Sequence, residues 1–469
     1  MSKQVNGGSG GEARTYAGKM TYVEFLDKSP MTPFHWLLVI GVSLAQFLDG
    51  IDYMALAYAL PMVIKDFRLN PTQAGLLGTA TNFGLLLGSL FFSLLSGRFG
   101  RRPVFLSVVL TYAIGTGLCA IAPSYEWLLV FRFIAGIGIG AEFPVVVAYL
   151  AEYAPVKHRH WIIPTSTIMY PVGWIAASFL AVWLVPKHGW RIIFWIGVSP
   201  ALMVLFIYQF MPESVRYLLV RGKTEEAGRI VRRLADKYGM SDTELVPPLS
   251  APGKKSGDEV GLRGQLSALR RSFGPLMAMS AICFMYFVQS YGLGVWLPTL
   301  FVKQGFTLLK SFWFSTFTVI AQPFAITLAT WQQQRFQRKV ALLMQIFIGS
   351  AFFILFGLSF ELRMPGEVTV AARFLSILLG AGFAPILLTM CAEVFPTNCR
   401  SLGTGIVLGF GRVGAMAGPF AIGLFLSLGS QIHDIVYGLC APMLLLSIAV
   451  ILVIKGDPRG KTLEETIKK

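Results

Sequence analysis

Cysteine and histidine are scarce in this chain, with five of each among 469 residues. Neither type shows the spacing of metal ligands, and no nucleophile stands beside a base in a recognisable constellation. The scarcity argues against an enzyme and predicts no metal site and no bound cofactor. We expect free thiols rather than a disulfide framework, because the cysteines fall in apolar stretches or short loops: Cys119, Cys283, Cys391, Cys399 and Cys440.

Charge is the second shortage. Only 14% of the residues are charged, 55% are hydrophobic, and the mean hydropathy is +0.63. About 20 apolar residues cross a bilayer as a helix. Twelve such stretches occur near residues 36–60, 73–96, 104–122, 127–150, 161–185, 192–210, 273–301, 311–332, 340–360, 367–391, 402–427 and 435–454. Because a backbone in lipid must satisfy its own hydrogen bonds and these runs lack strict alternation, we predict an all-α membrane protein with twelve transmembrane helices.

We expect no cleavable signal peptide, because residues 1–19 are polar and rich in glycine. The basic residues behind the net charge of +16 fall mainly in alternate loops, with exceptions at Lys65, Arg68, Lys187 and Arg191. This positive-inside pattern predicts a multi-pass protein of the cell's inner membrane with both termini in the cytoplasm. We expect a monomer without a nucleic-acid partner, because the basic residues are scattered among acidic ones.

The chain contains an internal repeat. Arg132-Phe133, Pro144, Ala151-Glu152, Pro155 and Arg159 return 241 residues later, since 373 − 132 is 241, as Arg373-Phe374, Pro385, Ala392-Glu393, Pro396 and Arg400. Arg98 and Pro61 return as Arg335 and Pro298 with an offset of 237. Each half holds an even number of spans, so both halves enter the membrane in the same orientation. We predict two six-helix bundles related by a pseudo-twofold axis along the membrane normal.

These features divide the chain into five parts. We predict a cytoplasmic N-terminal segment at 1–33, a six-helix bundle at 34–210, a cytoplasmic linker with short helices at 211–272, a second six-helix bundle at 273–454 and a cytoplasmic tail at 455–469. In the linker, a helical stretch follows Thr224, and the composition of residues 247–258 is that of a flexible tether.

Several motifs resemble those of the major facilitator superfamily: GRFGRRP (97–103), RFIAGIGIGAEFP (132–144), AEYAPVKHR (151–159), PESVRYL (212–218), AEVFPTNCR (392–400) and GDPRGKTLEE (456–465). DGID (49–52) is similar to the DGxD of proton symporters for aromatic acids, and GFGRVG (409–414) resembles carriers of nicotinate and related acids. The loop after the second span departs from the family pattern, because Gly97 and Ser93 replace its usual Asp and Gly. The resemblance covers nearly the whole chain and implies transport by alternating access.

Six charged residues lie inside otherwise uncharged spans, where each costs roughly 2.5 kcal/mol or more. Asp52 and Arg132 lie at matching depths, about 12 Å and 9 Å from one boundary by residue count. The resemblance places a proton-coupling pair at these two positions, and we hypothesise that Asp52 binds the transported proton. A static ion pair that fixes helix packing is the alternative.

Two further acids join this proton-coupling prediction. Asp49 lies one turn from Asp52 and is read as a second proton site, a substrate contact, or a cap where the helix breaks at Gly50. Glu142 is read either as an inward proton relay or as a partner of Arg412. Asp49 and Asp52 correspond, at the offset of 237, to two neutral residues of the second half, Tyr286 and Gln289. Acidity therefore belongs to the first half of the repeat.

Arg412 is the main candidate for binding substrate, because it lies near the membrane centre and a guanidinium can hold a carboxylate by two parallel hydrogen bonds. An ion pair with Glu142 or with an acid of the first span is the alternative. Tyr286, Gln289, Gln322 and Tyr170 complete the predicted substrate site. Arg373, the sixth charge, is expected to extend to the membrane interface.

Opposite charges of both halves gather at one predicted end of the bundles. They are Arg98, Arg101, Arg102, Glu152, Arg159, Glu213, Arg216, Arg335, Arg338, Glu393 and Arg400. We predict a cytoplasmic gate in which salt bridges between the halves must part before the inward side opens. The resemblance implies that this latch closes the outward-facing state.

The function predicted from these residues is a secondary active transporter. It imports a small organic anion, an aromatic or related carboxylate, with protons, and the proton gradient takes the place of a cofactor. An uncoupled facilitator, an exporter, or a carrier of sugar-like neutral substrates is the alternative. A non-transporting membrane sensor is less favoured, because only residues 211–272 offer a soluble segment of any length.

Overall fold

The computed structural model describes residues 19–237, 244–248, 267, 269, 270, 272–395 and 399–453. Within these ranges, twelve helical segments are long and apolar enough to cross a membrane, which confirms the predicted all-α membrane fold. The tether at 249–258, the tail at 455–469 and residues 396–398 of one motif lie outside the described residues.

The first bundle follows a short strand and helix, β1 (Lys19–Thr21) and α1 (Tyr22–Lys28). Its six membrane-spanning segments are α2 (Pro33–Asp66), α3 (Pro71–Phe99), α4 (Arg101–Ala120), α5 (Tyr125–Tyr153), α6 (Val156–Thr167) with α7 (Met169–His188), and α8 (Arg191–Ile196) with α9 (Ala201–Phe210). Capping residues in the sequence determine where these helices begin. At α3, the Asn70 side chain accepts from the Gln73 backbone amide at 2.8 Å and Pro71 holds the first helical position, a capping box before an apolar run.

The linker adds α10 (Val215–Val220), α11 (Thr224–Lys237) and β2 (Glu244–Val246), which pairs in parallel with β1. The second bundle then consists of α12 (Phe273–Lys303), α13 (Leu308–Arg335), α14 (Arg338–Glu361), α15 (Gly366–Gly380) with α16 (Phe383–Val394), α17 (Arg400–Ser427) and α18 (Ile432–Val453).

The internal repeat is visible in the helices. α13 begins 237 residues after α3 (308 − 71), α14 begins 237 after α4 (338 − 101), and α15 begins 241 after α5 (366 − 125). The packing repeats too, since α2 packs on α7 as α12 packs on α17, and α3 packs on α5 as α13 packs on α15. Equivalent residues of the two halves therefore stand at equivalent places in their bundles.

The two ends of the molecule differ. We call the end that carries α10 and α11 the linker face, and the end where α2 stops and α3 starts the far face. Near the far face α3 crosses α17 in backbone contact: a Cβ on Gly75 would lie 2.4 Å from the Pro419 carbonyl oxygen, and a Cβ on Gly423 would lie 2.4 Å from that of Pro71. The bundles thus meet without intervening side chains at this end.

Toward the linker face the same helices part. Gly405 lies fourteen residues before Pro419, four turns along the same face of α17. Among the described residues, a Cβ at Gly405 would meet no atom within 4 Å, and the same holds for Gly409 and for Gly97 of α3. The bundles are therefore closed at the far face and separated at the linker face.

Glu213, at the start of the linker, caps a membrane helix of the first bundle. Its carboxylate accepts from the backbone amides of Arg101 at 2.8 Å and Arg102 at 3.3 Å, at the start of α4. A negative charge at a helix N-terminus accepts hydrogen bonds from free N–H groups and interacts favourably with the positive end of the helix dipole. Glu213 therefore binds the linker to the first bundle.

We expect Glu213→Gln to lower the free energy of unfolding by about 1–2 kcal/mol, because an amide oxygen accepts these bonds without the charge. Thermal unfolding of the detergent-solubilised protein measures the effect. Glu225→Gln, an exposed position on α11, is the matched control and should leave Tm unchanged. Equal Tm values for both variants would contradict the capping role.

Candidate functional site

A cavity opens between the two bundles. It contains about 1050 Å³ of empty space, including the part that is open to solvent. The second bundle supplies most of its wall, and the first contributes four residues of α2, among them Tyr53, together with Trp174 of α7. Ligand pockets in carriers commonly form at such bundle interfaces.

Three of the predicted substrate residues, Tyr286, Gln289 and Gln322, line this cavity. The ring of Tyr286 stacks on Phe383, with centroids 4.5 Å apart and planes at 27°. Aromatic faces and two amide side chains thus share one wall, which suits a flat ring that carries polar groups.

Arg373 also lines the cavity, so the expectation that it extends to the membrane interface is wrong. The residue is only 8% exposed, and its guanidinium carbon lies 5.4 Å from the Phe353 ring and 5.7 Å from the Phe356 ring. These rings lie on α14 and hold the cation inside the bundle. No Asp or Glu oxygen lies within 4 Å of Arg373 in the described part of the chain, and its Nε lacks a hydrogen-bond partner.

Asp52 and Arg132 are in contact, with Nη1 of the arginine 3.5 Å from Oδ1 of the aspartate. The Thr116 hydroxyl donates to the other Asp52 oxygen at 2.7 Å, and Nε of Arg132 donates to the Thr81 hydroxyl at 3.3 Å. Both charged residues are fully buried. Tyr53, the next residue along α2, lines the cavity, whereas Asp52 and Arg132 are not among the residues that line it.

Asp49 and Glu142 are buried in the same bundle. The Gln46 amide donates to one Glu142 oxygen at 3.1 Å, whereas Oε2 of Glu142 and Oδ1 of Asp49 find no hydrogen-bond partner among the residues that the structure describes. The alternative that Asp49 caps a broken helix is wrong, because α2 runs unbroken from residue 33 to 66. Gly50 instead lets α7 approach, since a Cβ there would lie 2.2 Å from the Tyr170 carbonyl oxygen.

Arg412 and Tyr170 lie outside the cavity lining. Both are half-buried, and Arg412 is close enough to Asp49 for their charges to interact. No carboxylate oxygen of the described residues lies within 4 Å of Arg412, so the direct ion pair with Glu142 is not formed. The Tyr170 ring packs 5.3 Å from Trp174, which itself borders the cavity.

The expected latch between the halves takes a different form. Glu152 binds Arg101 at 3.0 Å, and Glu393 binds Arg338 at 3.2 Å, so each acid pairs within its own bundle. The physical reason is the separation of the bundles at the linker face, so that the partners found for these groups among the described residues belong to their own half. Of the remaining predicted gate residues, Arg98 stacks on Phe99, Arg102 donates to the Tyr208 carbonyl, Arg335 is exposed and Arg400 is half-buried.

Asp27 of α1 is a contact residue that the sequence did not reveal. Its Oδ1 binds Arg159 at 3.0 Å and Arg216 at 2.7 Å, which joins α1 to α6 and α10. No motif contains Asp27. The inward orientation of Arg373 could have been predicted from the sequence. Its repeat partner Arg132 was expected to face inward, and the repeat predicts the same direction for both.

Comparison with known proteins decides the family. The profile of the family described as sugar (and other) transporter matches residues 38–467. The chain belongs to this major facilitator family. The predictions of a membrane transporter rather than an enzyme, and of the superfamily, are thereby confirmed.

Relatives within this family include carriers of aromatic acids. The niacin transporter NiaP of Acinetobacter baylyi is 32% identical over 95% of this chain and 99% of its own length. The benzoate transport protein of the same organism is 30% identical, covering 86% of each chain, and its 4-hydroxybenzoate transporter PcaK is 28% identical, covering 90% of this chain and 91% of its own.

Solved structures agree on the architecture. A partially occluded inward-open structure of the xylose transporter XylE from E. coli matches with a TM-score of 0.71 and 17% identity, covering 92% of this chain and 100% of that one. The two-bundle major facilitator fold predicted from the repeat is therefore confirmed.

Proposed function

We propose that this transporter imports a small aromatic or related carboxylate together with protons across the cell's inner membrane. The observation that carries the proposal is the cavity between the bundles, which combines stacked rings, amide side chains and an arginine that has no acidic partner among the described residues. A carboxylate satisfies a buried guanidinium by charge and by paired hydrogen bonds. The carriers of niacin and benzoates among the relatives support the same substrate class.

Proton coupling is assigned to the buried acids of the first bundle. Asp52, Asp49 and Glu142 outnumber Arg132, the one cation within 4 Å of any of them in the described ranges. Buried carboxylates without enough counter-charge favour taking up protons. We propose Asp52 as the principal proton site, Arg132 as the residue that releases its proton, and Arg412 as the charge that reaches Asp49 from the second bundle.

The linker face is assigned to the cytoplasm, since the loops rich in arginine lie there. The structure then corresponds to an inward-facing state, with the far face closed toward the outside. In the outward-facing state the two sets of gate residues meet, and the pairs Arg101–Glu152 and Arg338–Glu393 face each other across the interface.

Uptake into proteoliposomes tests the function. We expect a purified, reconstituted sample to accumulate labelled benzoate or nicotinate when the outside is more acidic than the lumen, by about tenfold per pH unit for one coupled proton. Without the gradient we expect equilibration only.

The control is the same vesicle with a protonophore, which should reduce accumulation to equilibration. Equal uptake with and without the gradient would contradict symport and favour an uncoupled facilitator. Accumulation driven by the opposite gradient would favour an exporter. Uptake of xylose but of neither acid would overturn the assigned substrate class.

A further inference from the structure

The cavity between the bundles includes, on its second-bundle side, the positions that correspond to the buried acid cluster of the first bundle. Asp52 corresponds to Gln289 and Asp49 to Tyr286 at the offset of 237. Glu142 corresponds to Phe383, since 142 + 241 is 383. All three counterparts line the cavity, whereas the three acids are buried in a packed interior. The acids of one half are thus replaced by neutral groups around a void in the other.

The same correspondence between the halves explains why the second bundle has room for a cavity. Tyr112, fully buried among the acids, corresponds to Gly349, since 112 + 237 is 349. Gly349 lines the cavity. A phenol ring of the first bundle is therefore absent from the second, which leaves room for a ring that the protein does not supply.

Of the four charged residues of this cluster in the first half, only the arginine is kept in the second. Arg132 corresponds to Arg373 at the offset of 241. Arg132 is neutralised by Asp52 at 3.5 Å and supported by Thr81 at 3.3 Å. The counterpart of Thr81 is Thr318, which also lines the cavity. The arginine site is thus repeated, but its acid is missing.

The partners of Arg373 confirm this difference. Thr116, whose hydroxyl donates to Asp52 in the first half, corresponds at the offset of 237 to Phe353, whose ring lies against the Arg373 guanidinium. The only hydrogen bond from Arg373 to a described side chain is a long one, 3.5 Å, to the Ser376 hydroxyl. A cation that is nine-tenths buried, faces a void and lacks a counter-charge is incomplete without an anion.

We propose that Arg373 binds the substrate carboxylate, which occupies in the second half the position that the Asp52 carboxylate holds in the first. Gln289, the counterpart of Asp52, carries no charge and therefore does not neutralise Arg373 itself. The ring of the ligand then lies in the space of the missing phenol, against Tyr286 and Phe383. This assignment rests on the proposed function and moves the carboxylate contact from Arg412 to Arg373.

Matched acids and amides test the assignment. Binding of benzoate and nicotinate, and of benzamide and nicotinamide, is measured by isothermal titration on the purified full chain. We expect Arg373→Gln to weaken binding of both carboxylates by about 100-fold or more, because two charge-assisted hydrogen bonds are lost, and to change binding of the neutral amides by less than about threefold.

A second variant restores the acid that the repeat lacks. Gln289→Asp should pair with Arg373 as Asp52 pairs with Arg132, and should weaken carboxylate binding by about tenfold or more. Gln289→Asn is the matched control that adds no charge, and its preference for acids over amides should match that of the wild type. This comparison tests the assignment even when Arg373→Gln fails to fold.

Unchanged carboxylate binding in Arg373→Gln, or an equal loss for acids and amides, would overturn the assignment while leaving the proposed function intact. Gln289→Asp and Gln289→Asn with equal binding of benzoate would overturn it as well. A wild-type protein that neither binds nor transports any of the four compounds would instead reject the proposed function, and the assignment with it.

Discussion

Replacement of Asp52 by asparagine is expected to abolish accumulation of substrate against its gradient while exchange of labelled substrate continues. Asparagine cannot take up and release the proton, so uptake loses its driving force, but the cavity wall formed by Tyr53 is unchanged. Accumulation of labelled benzoate under an inward proton gradient should fall to the equilibrium level. Counterflow between loaded and labelled vesicles measures exchange separately.

Stability must be separated from coupling in this test. Asp52→Asn leaves the guanidinium of Arg132 buried without its acid, which costs about 3–5 kcal/mol. The double variant Asp52→Asn with Arg132→Gln removes both charges and should regain much of that loss. Asp236→Asn, at an exposed position on α11, is the control of equal charge change. Accumulation at the wild-type level in the folded single variant would refute the role of Asp52.

Gly75→Leu is expected to prevent closure of the far face and to reduce transport by tenfold or more. A Cβ at residue 75 would lie 2.4 Å from the Pro419 carbonyl oxygen, which is backbone and cannot turn aside. Overpacking costs about 1–3 kcal/mol, and the cost falls only on the state in which α3 and α17 touch. That difference shifts the balance of states about 5- to 150-fold away from the one closed at the far face.

Labelling of an introduced cysteine reports the shift. Gly405→Cys places a thiol on the open side of α17, and the five native cysteines are buried. A membrane-permeant maleimide should react with it readily in the Gly75 background and much more slowly together with Gly75→Leu. Gly438→Leu makes the same change on α18, at an exposed position where no atom of the described residues lies within 4 Å, and should alter neither transport nor labelling. Equal labelling in both leucine variants would contradict the closure role.

Hydropathy and the repeat offsets were sufficient to predict the spans and the two-bundle fold, because membrane thickness and backbone satisfaction leave few alternatives. Counting residues also placed Asp52 and Arg132 at one level, and they are in contact. Depth along a helix is fixed by the rise per residue, so it can be read from the chain alone.

The direction in which a side chain points around its helix axis is harder to predict than its depth in the membrane. Arg373 was assigned to the interface because its depth permits it, yet the rotation of α15 against α14 points it inward. Arg412, assigned to the substrate site by depth, faces the cluster near Asp49 instead of the cavity lining. Partner choice at the linker face was also beyond the sequence, since it depends on which state the bundles adopt.

The division of charge and space between the halves has a consequence for how such carriers diversify. The acids that we propose to couple transport to protons lie in one duplicated half, and the cavity is lined mainly by the other. Substitutions in the second half that change the cavity for a different substrate therefore leave the proposed coupling residues unchanged. A duplicated carrier can in this way acquire new substrates through single substitutions while it keeps its proposed proton coupling.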